Sequence, residues 1–209
     1  MTAVVYSEFE GLDQIETYLK SFPKRVPRAA RLAINTVISR KGMKLIQDEM
    51  YDQVAFPKNY LKGDRLFVRQ YASEANLTGI ILGRKRATSL ARFAAPGTPI
   101  GSQGSRGVKV VVSRGSSAFL RNAWLVRLRR GASLTEDNFN VGLAIRLREG
   151  EKVTGKYSTH RSWLVPGQVA LLYGPSVNQV FDVVAEDTGP EILNMVGEEF
   201  NRQFNRMGE

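Results

Sequence analysis

Apolar residues early in the chain recur at helical spacing. Leu12, Ile15 and Leu19 predict a short helix over Gly11–Phe22, stopped by Pro23. A longer helix is predicted from about Pro27 to Gln53. There Ala30, Ala33, Ile34, Val37 and Ile38 form one stripe, with Arg28, Arg31 and Asn35 opposite. Lys41 falls on that stripe beside Gly42, so either the helix bends at Gly42 or Lys41 faces a partner. The period then shortens. Leu66-Phe67-Val68, Leu77–Leu82 and Val108–Val112 are short runs bounded by Gly or Ser, the signature of strands. Trp124, Val126 and Leu128 alternate with Leu125, Arg127 and Arg129. Phe139–Leu147 alternates most regularly: Phe139, Val141, Leu143, Ile145 and Leu147 share one face, predicting a half-buried antiparallel strand. Helical spacing returns at Val177, Val180, Phe181 and Val184. Gly189-Pro190 interrupts it, with Pro190 placed to open a new helix through Ile192, Leu193, Val196, Phe200 and Phe204. Arg202 and Arg206 in the last turn complement the helix dipole.

Helix, then strands, then helix predicts an α+β fold: an antiparallel β-sheet packed by a long N-terminal helix and a C-terminal helix. Residues 1–25 read as an N-terminal helical extension and 26–209 as a single domain. Residues 94–107, with four glycines and two prolines in fourteen positions, read as a long mobile loop. It serves either as a solvent-exposed tether or as an assembly contact. No repeat of about 20–50 residues is visible.

Composition bears mainly on what the chain cannot be. With no cysteine, disulfides, zinc fingers and thiol nucleophiles are excluded. Residues 1–10 carry Glu8 and Glu10 and lack a basic start with an apolar run, so no signal peptide is expected. No stretch reaches the roughly 18 apolar residues of a membrane span.

Charge changes the picture more. The net charge is +10 over 209 residues, unevenly spread. Residues 61–130 hold fourteen basic side chains and only two acidic ones, Asp64 and Glu74, whereas residues 131–209 are net acidic. So one-sided a block repels itself unless an anion lies nearby, pointing to nucleic acid or an acidic protein surface; a solvated basic face is the bland alternative. Gly83-Arg84-Lys85-Arg86 is its most compact cluster and suits a nucleic-acid contact or a solvated turn equally. It lacks interleaved aromatics, so base stacking is not indicated.

Catalytic patterns do not emerge. His160 is the one histidine, and no G-x-S-x-G elbow accompanies it. Carboxylates are scattered, and Glu149 and Glu151 flank Gly150 in an apparent hairpin turn, so no metal site is expected. The glycines before Val108 lead into a strand rather than a helix, which excludes a Walker or dinucleotide loop. No catalytic residue, cofactor or metal is therefore assigned.

Several segments carry a likeness. They are AINTVISRKGMK (Ala33–Lys44), NLTGIIL (Asn76–Leu82), SLARF (Ser89–Phe93), GVKVVVSRG (Gly107–Gly115), NAWLVRLRRG (Asn122–Gly131) and LYGPSVNQVF (Leu172–Phe181). In order and spacing they resemble the phage minor tail protein Z family over roughly residues 27–206. Only Tyr173-Gly174-Pro175-Ser176 is distinctive alone. Trp124 replaces the family's more usual Phe, 140–170 is sparsely basic, and the first 25 residues have no counterpart.

The resemblance implies a non-enzymatic virion protein, assembled in the host cytoplasm, that completes the head-proximal end of the tail and enables head–tail joining. Implied partners are the tail terminator, the tail tube and a connector or adaptor ring, with the chain itself a homo-oligomeric ring. The loop 94–107 is the candidate for reaching a neighbouring subunit. Arg84, Lys85, Arg86, Arg121, Arg127, Arg129 and Arg130 are the candidate contacts to an anionic partner, either the phosphate backbone of the genome end or acidic rims of adjoining rings. A channel through which DNA slides is poorly served by phosphate clamps, which favours protein. Tyr173 is expected at a sheet–helix junction, Gly174 at a sharp change of direction, and Pro175 at the corner or first helical position before Ser176. Two other classes remain open, a stand-alone basic nucleic-acid-binding protein and an unrecognised hydrolase.

Overall fold

The computed structural model describes residues 22–101, 107–129, 139–146 and 169–208. The predicted helix over 11–22, apart from Phe22, lies outside them, as do the Glu149–Glu151 turn, His160 and Arg130. The fold is α+β, with antiparallel sheets and a C-terminal helix packed on a curled sheet. By contacts the chain divides into two compact units, one of residues 1–43, 68–80 and 190–209, the other of 44–67 and 81–189.

In the first unit, α1 (Arg25–Ser39) buries Ala29, Ala33, Val37 and Ile38. The single helix expected over 27–53 is two, because the backbone leaves helical geometry at Arg40 (φ −128°, ψ −97°) before α2 (Lys41–Gln53) begins. The bend thus precedes Gly42. A Cβ there would stand 3.0 Å from both Cγ1 and O of Val37, so the glycine is what lets the second helix start so close to the first. Asn35, on the polar side of α1, acts as a strand edge: its Nδ2 donates to Ala72 O (2.9 Å) and its Oδ1 accepts from Ala72 N (2.8 Å). Gly79 lies so near Ile34 and Ile38 that a Cβ would fall 2.9 and 2.7 Å from their methyl carbons. At the far end of the chain the Arg25 guanidinium donates to the carbonyl of Phe204 and stacks 4.1 Å from the Phe204 ring. It thereby satisfies a terminal helical carbonyl that has no partner within its helix.

The second unit is built on a four-stranded antiparallel sheet in the order β3 (Ala87–Ser89), β8 (Val169–Ser176), β7 (Phe139–Arg146), β6 (Ala123–Arg129). Two small pairs accompany the chain's other strands, β1 (Leu66–Gln70) with β2 (Ile80–Gly83) and β4 (Val108–Val110) with β5 (Ala118–Leu120). Both β2 and β4 are shorter than the predicted runs Leu77–Leu82 and Val108–Val112. Past Val110 the backbone turns to other partners, Val111 N donating to Phe93 O and Val112 O accepting from Ala55 N.

The half-buried strand expected at Phe139–Leu147 is an inner strand with both faces covered. Leu143 and Ala144, on opposite faces, are each 0% exposed. Small residues, Gly142 and Ala144, occupy the face that sequence alternation assigns to solvent, so polarity misleads there. On the other face Leu143 joins Val108, Val110, Ala123 and Leu125 in one apolar cluster.

The segment Tyr173–Ser176 is the end of β8 rather than a turn. Ala87 pairs with Ser176 and Thr88 with Gly174, so Pro175 is the extra residue of a bulge, where its missing N–H leaves no gap in the ladder. Pro175 is therefore not the first helical residue. That is Val177, with Ser176 as cap: Gln179 N donates to Ser176 Oγ (3.1 Å) while Ser176 N donates to Gln179 Oε1 (2.9 Å). This is a capping box with glutamine at the third position.

The terminal helix, α3 (Val177–Arg206), runs through the predicted break, with Pro190 inside it. Proline's ring crowds the Cβ of the preceding residue, and Gly189 has none. Of the expected apolar positions, Val177, Val180, Val184 and Phe204 are buried, whereas Leu193 is 72% exposed. The first half of the supposed mobile loop is pinned. Ala95 N donates to Lys109 O and Gly101 N to Leu125 O, so 94–101 lies along β4 and β6. Residues 102–106 are outside the described set.

Candidate anionic-partner surface

Strand directions decide where the basic side chains go. Because each neighbour in the four-stranded sheet is antiparallel, β6 and β8 run the same way. The end of β6 at Arg129, the end of β8 at Ser176 and the start of β3 at Ala87 therefore share one end of the sheet. Arg84-Lys85-Arg86 lead into β3 at one edge, and Arg127 and Arg129 lie on β6 at the other. Two strands separate the groups, about 14 Å at three strand spacings. Between them α3 begins, adding the positive end of its dipole. The single predicted block is thus divided: Arg84, Lys85 and Arg86 on one edge and Arg127 and Arg129 on the other share one end of the sheet, whereas Arg121, just before the start of β6, lies at the opposite end.

The candidate residues are not equivalent. Lys85, Arg86, Arg121 and Arg127 are exposed. Arg127 shares its face with buried Ala123 and Leu125 and reaches solvent because it lies further along the strand. Arg121 sits at the corner between β5 and β6, next to Asn122 at φ 61°, a conformation asparagine tolerates better than most residues. Arg129 is placed by its backbone pairing with Phe139.

Arg84 departs from the surface role. Its Nη2 donates to the Tyr60 hydroxyl (3.0 Å), and its Nη1 lies 3.7 Å from Asp64. Tyr60 is 5% exposed, stacks on Phe56 at 5.3 Å and donates to buried Thr88 Oγ1 (3.3 Å). Arg65 lies 4.3 Å over the same ring and donates to Tyr60 O, and Arg92 lies 5.8 Å from it. Sequence reading missed this cluster, because Tyr60 and Arg65 stand apart from Arg84 and Arg92 in the chain and no spacing links them.

Asp64 and Glu74, the two carboxylates of the basic block, are both taken up by arginines, Glu74 3.5 Å from Arg31. Arg114 pairs with Asp52 at 3.8 Å on an open groove of about 670 Å³ lined also by Tyr51, Lys58 and Lys62. In the first unit the charge of exposed Lys41 adds the smallest of the pulls on Glu199. Arg202 hydrogen bonds (2.8 and 2.5 Å), a bond from Gln203 and the Arg202 and Lys41 charges outweigh burial and hold Glu199 at about 2. Among the described residues no three acidic or histidine side chains are placed to hold a metal ion, and no helix is long and apolar enough to cross a membrane.

The motif-bearing segments meet. Tyr173 pairs with Ser89, and a Cβ on Gly174 would press 3.2 Å from the Phe93 ring and 3.4 Å from Leu90. Gly174 thus admits the 3-10 turn Leu90–Phe93 rather than marking a change of direction, and Tyr173 is part-buried there. No protein-family model, curated protein or solved structure matches the chain.

Proposed function

We propose that the chain is a non-enzymatic structural protein of a tailed-phage virion that completes the head-proximal end of the tail and enables head–tail joining. The observation that carries this reading is the meeting of SLARF and LYGPS, some eighty residues apart in the sequence, in one junction at the start of α3. These segments bear the likeness to the minor tail protein Z family. Their mutual packing gives their joint occurrence a physical reason. The sheet end beside that junction carries Lys85, Arg86 and Arg127 toward solvent, a surface suited to acidic rims of a tail terminator, tail tube or connector ring. A closed homo-oligomeric ring would repeat it around the tail axis.

The test is a nonsense mutation in the gene within its phage. Electron microscopy should show separate full heads and tails, and adding purified protein to that extract should restore infectivity. Joined particles of normal titre would refute the reading. A stand-alone nucleic-acid-binding protein predicts that second outcome.

A further inference from the structure

We propose that the arginine cluster around Tyr60 is a phosphate-binding site, independent of where the protein sits in a particle. Three guanidinium groups, Arg65, Arg84 and Arg92, contact one buried phenol. Against these three charges stands one carboxylate, Asp64. It reaches only Arg84, at 3.7 Å, and its own side chain is 78% exposed. Three cations gathered around one ring against a single exposed carboxylate favour an anion joining them. The Nε atoms of Arg65 and Arg84 are shielded from solvent and have no hydrogen-bond partner among the described residues, so the donors are desolvated without compensation.

The geometry selects the anion. A carboxylate is planar and matches a single guanidinium fork. Three forks held around one ring, at its face and at its hydroxyl, call for a tetrahedral oxyanion that can accept from several directions. With Asp64 displaced, three guanidinium charges would face one phosphate dianion and more than neutralise it. Asp64 is then a placeholder. It follows Gly63, which sits at φ 71° in an exposed turn, and nothing else described holds its carboxylate. An incoming phosphate displaces it from Arg84.

Thermal melting of the full chain tests this with sodium phosphate against sodium chloride at equal ionic strength. Phosphate at ten times its Kd should raise Tm by about 4 °C, by mass action on the folded state. Asp64→Asn removes the competing carboxylate and should bind phosphate about fivefold tighter. Arg92→Ala, at an exposed position, should weaken binding, while Lys85→Ala should leave it unchanged. A short DNA duplex that competes with phosphate identifies a nucleic-acid backbone as the source; phosphate binding without duplex binding identifies free phosphate. The proposal is overturned by no phosphate-specific shift, by weaker binding in Asp64→Asn, or by an oligoglutamate peptide that stabilises where phosphate does not.

Discussion

Gly83→Ala isolates the junction on which the reading of the second unit depends. The added methyl would lie 2.8 Å from Asn178 Cα, 2.9 Å from Asn178 N and 3.1 Å from Val177 C. All are backbone atoms of the first turn of α3, and carbon atoms in good contact stand about 3.5–4.0 Å apart. The helix start cannot retreat alone, since Ser176 and Gln179 fix it to the end of β8, and Asn178 N donates to Arg84 O at 3.2 Å. Overpacking of this kind costs about 1–3 kcal/mol, and a strained hydrogen bond adds about 1 kcal/mol. Removing a glycine from a strand returns up to about 1 kcal/mol, leaving a net loss near 2 kcal/mol. For 209 residues that is a fall of about 6 °C in Tm at roughly 3 °C per kcal/mol. Calorimetry on the purified chain gives the number, with Gly197→Ala as the opposite control. Nothing lies within 4 Å of a Cβ at Gly197. As a helical residue it should therefore gain about 0.5–1 kcal/mol and melt higher. If Gly83→Ala melts at or above the wild type, the close approach of β2 to α3 is wrong.

Leu143→Ala, at a fully buried position in the sheet's apolar cluster, should cost about 2–5 kcal/mol by urea denaturation. Tyr173→Ala should cost less, because that ring is only part-buried; the reverse order would overturn the placement of β7 as an inner strand. Ser176→Ala removes the cap of α3 and should cost about 1 kcal/mol, and Ser176→Asp should restore most of it. Glu199 has its pKa depressed from 4.5 to about 2. Its contribution is thus complete above pH 4.5 and lost as pH falls toward 2. Its side chain is 15% exposed but that of Arg202 is 58%, so solvent screening leaves on the order of 1 kcal/mol. Melting from pH 7 to 2 should show Glu199→Gln less stable at neutral pH and converging with the wild type near pH 2; a constant difference would remove the linkage.

What the sequence made legible was periodicity. The stripe of α1, the start of α3 and the strand character of β6 and β7 could be read because apolar side chains recur at the right period, although in β6 the buried face is that of Ala123 and Leu125 and not the bulkier one of Trp124, Val126 and Leu128. The failures have two physical sources. Small residues gave no polarity signal, so Gly142 and Ala144 were assigned to solvent and the inner position of β7 was lost. Punctuation by proline and glycine was over-read: Pro175 sits in a bulge and Pro190 inside a helix, each made tolerable by its surroundings. A further basic run escaped notice beside the one at 61–130. Residues 24–44 hold seven basic side chains and no acidic one, between acidic residues at Glu8–Glu16 and at Asp48, Glu49 and Asp52.

The basic block illustrates why a net charge is a weak guide to a site. Read as a sum, its fourteen cations against two anions describe one surface. The fold gives these side chains different tasks. Arg65 and Arg84 are partly internal, tied to Tyr60, and their desolvated donors make an inset site for a compact anion. Arg114 is matched to Asp52, and lining the same groove are Lys58 and Lys62. Lys85, Arg86 and Arg127 stand in solvent at one end of the sheet, where long-range attraction is what they offer. Screening separates these roles: the exposed group weakens once the Debye length falls below its spacing, about 10 Å at 0.1 M salt. The inset cluster, with part of its charge out of water, is screened much less. Salt that abolishes steering by the sheet end should therefore leave binding at Tyr60 largely intact, so one surface can be tested with the other still working.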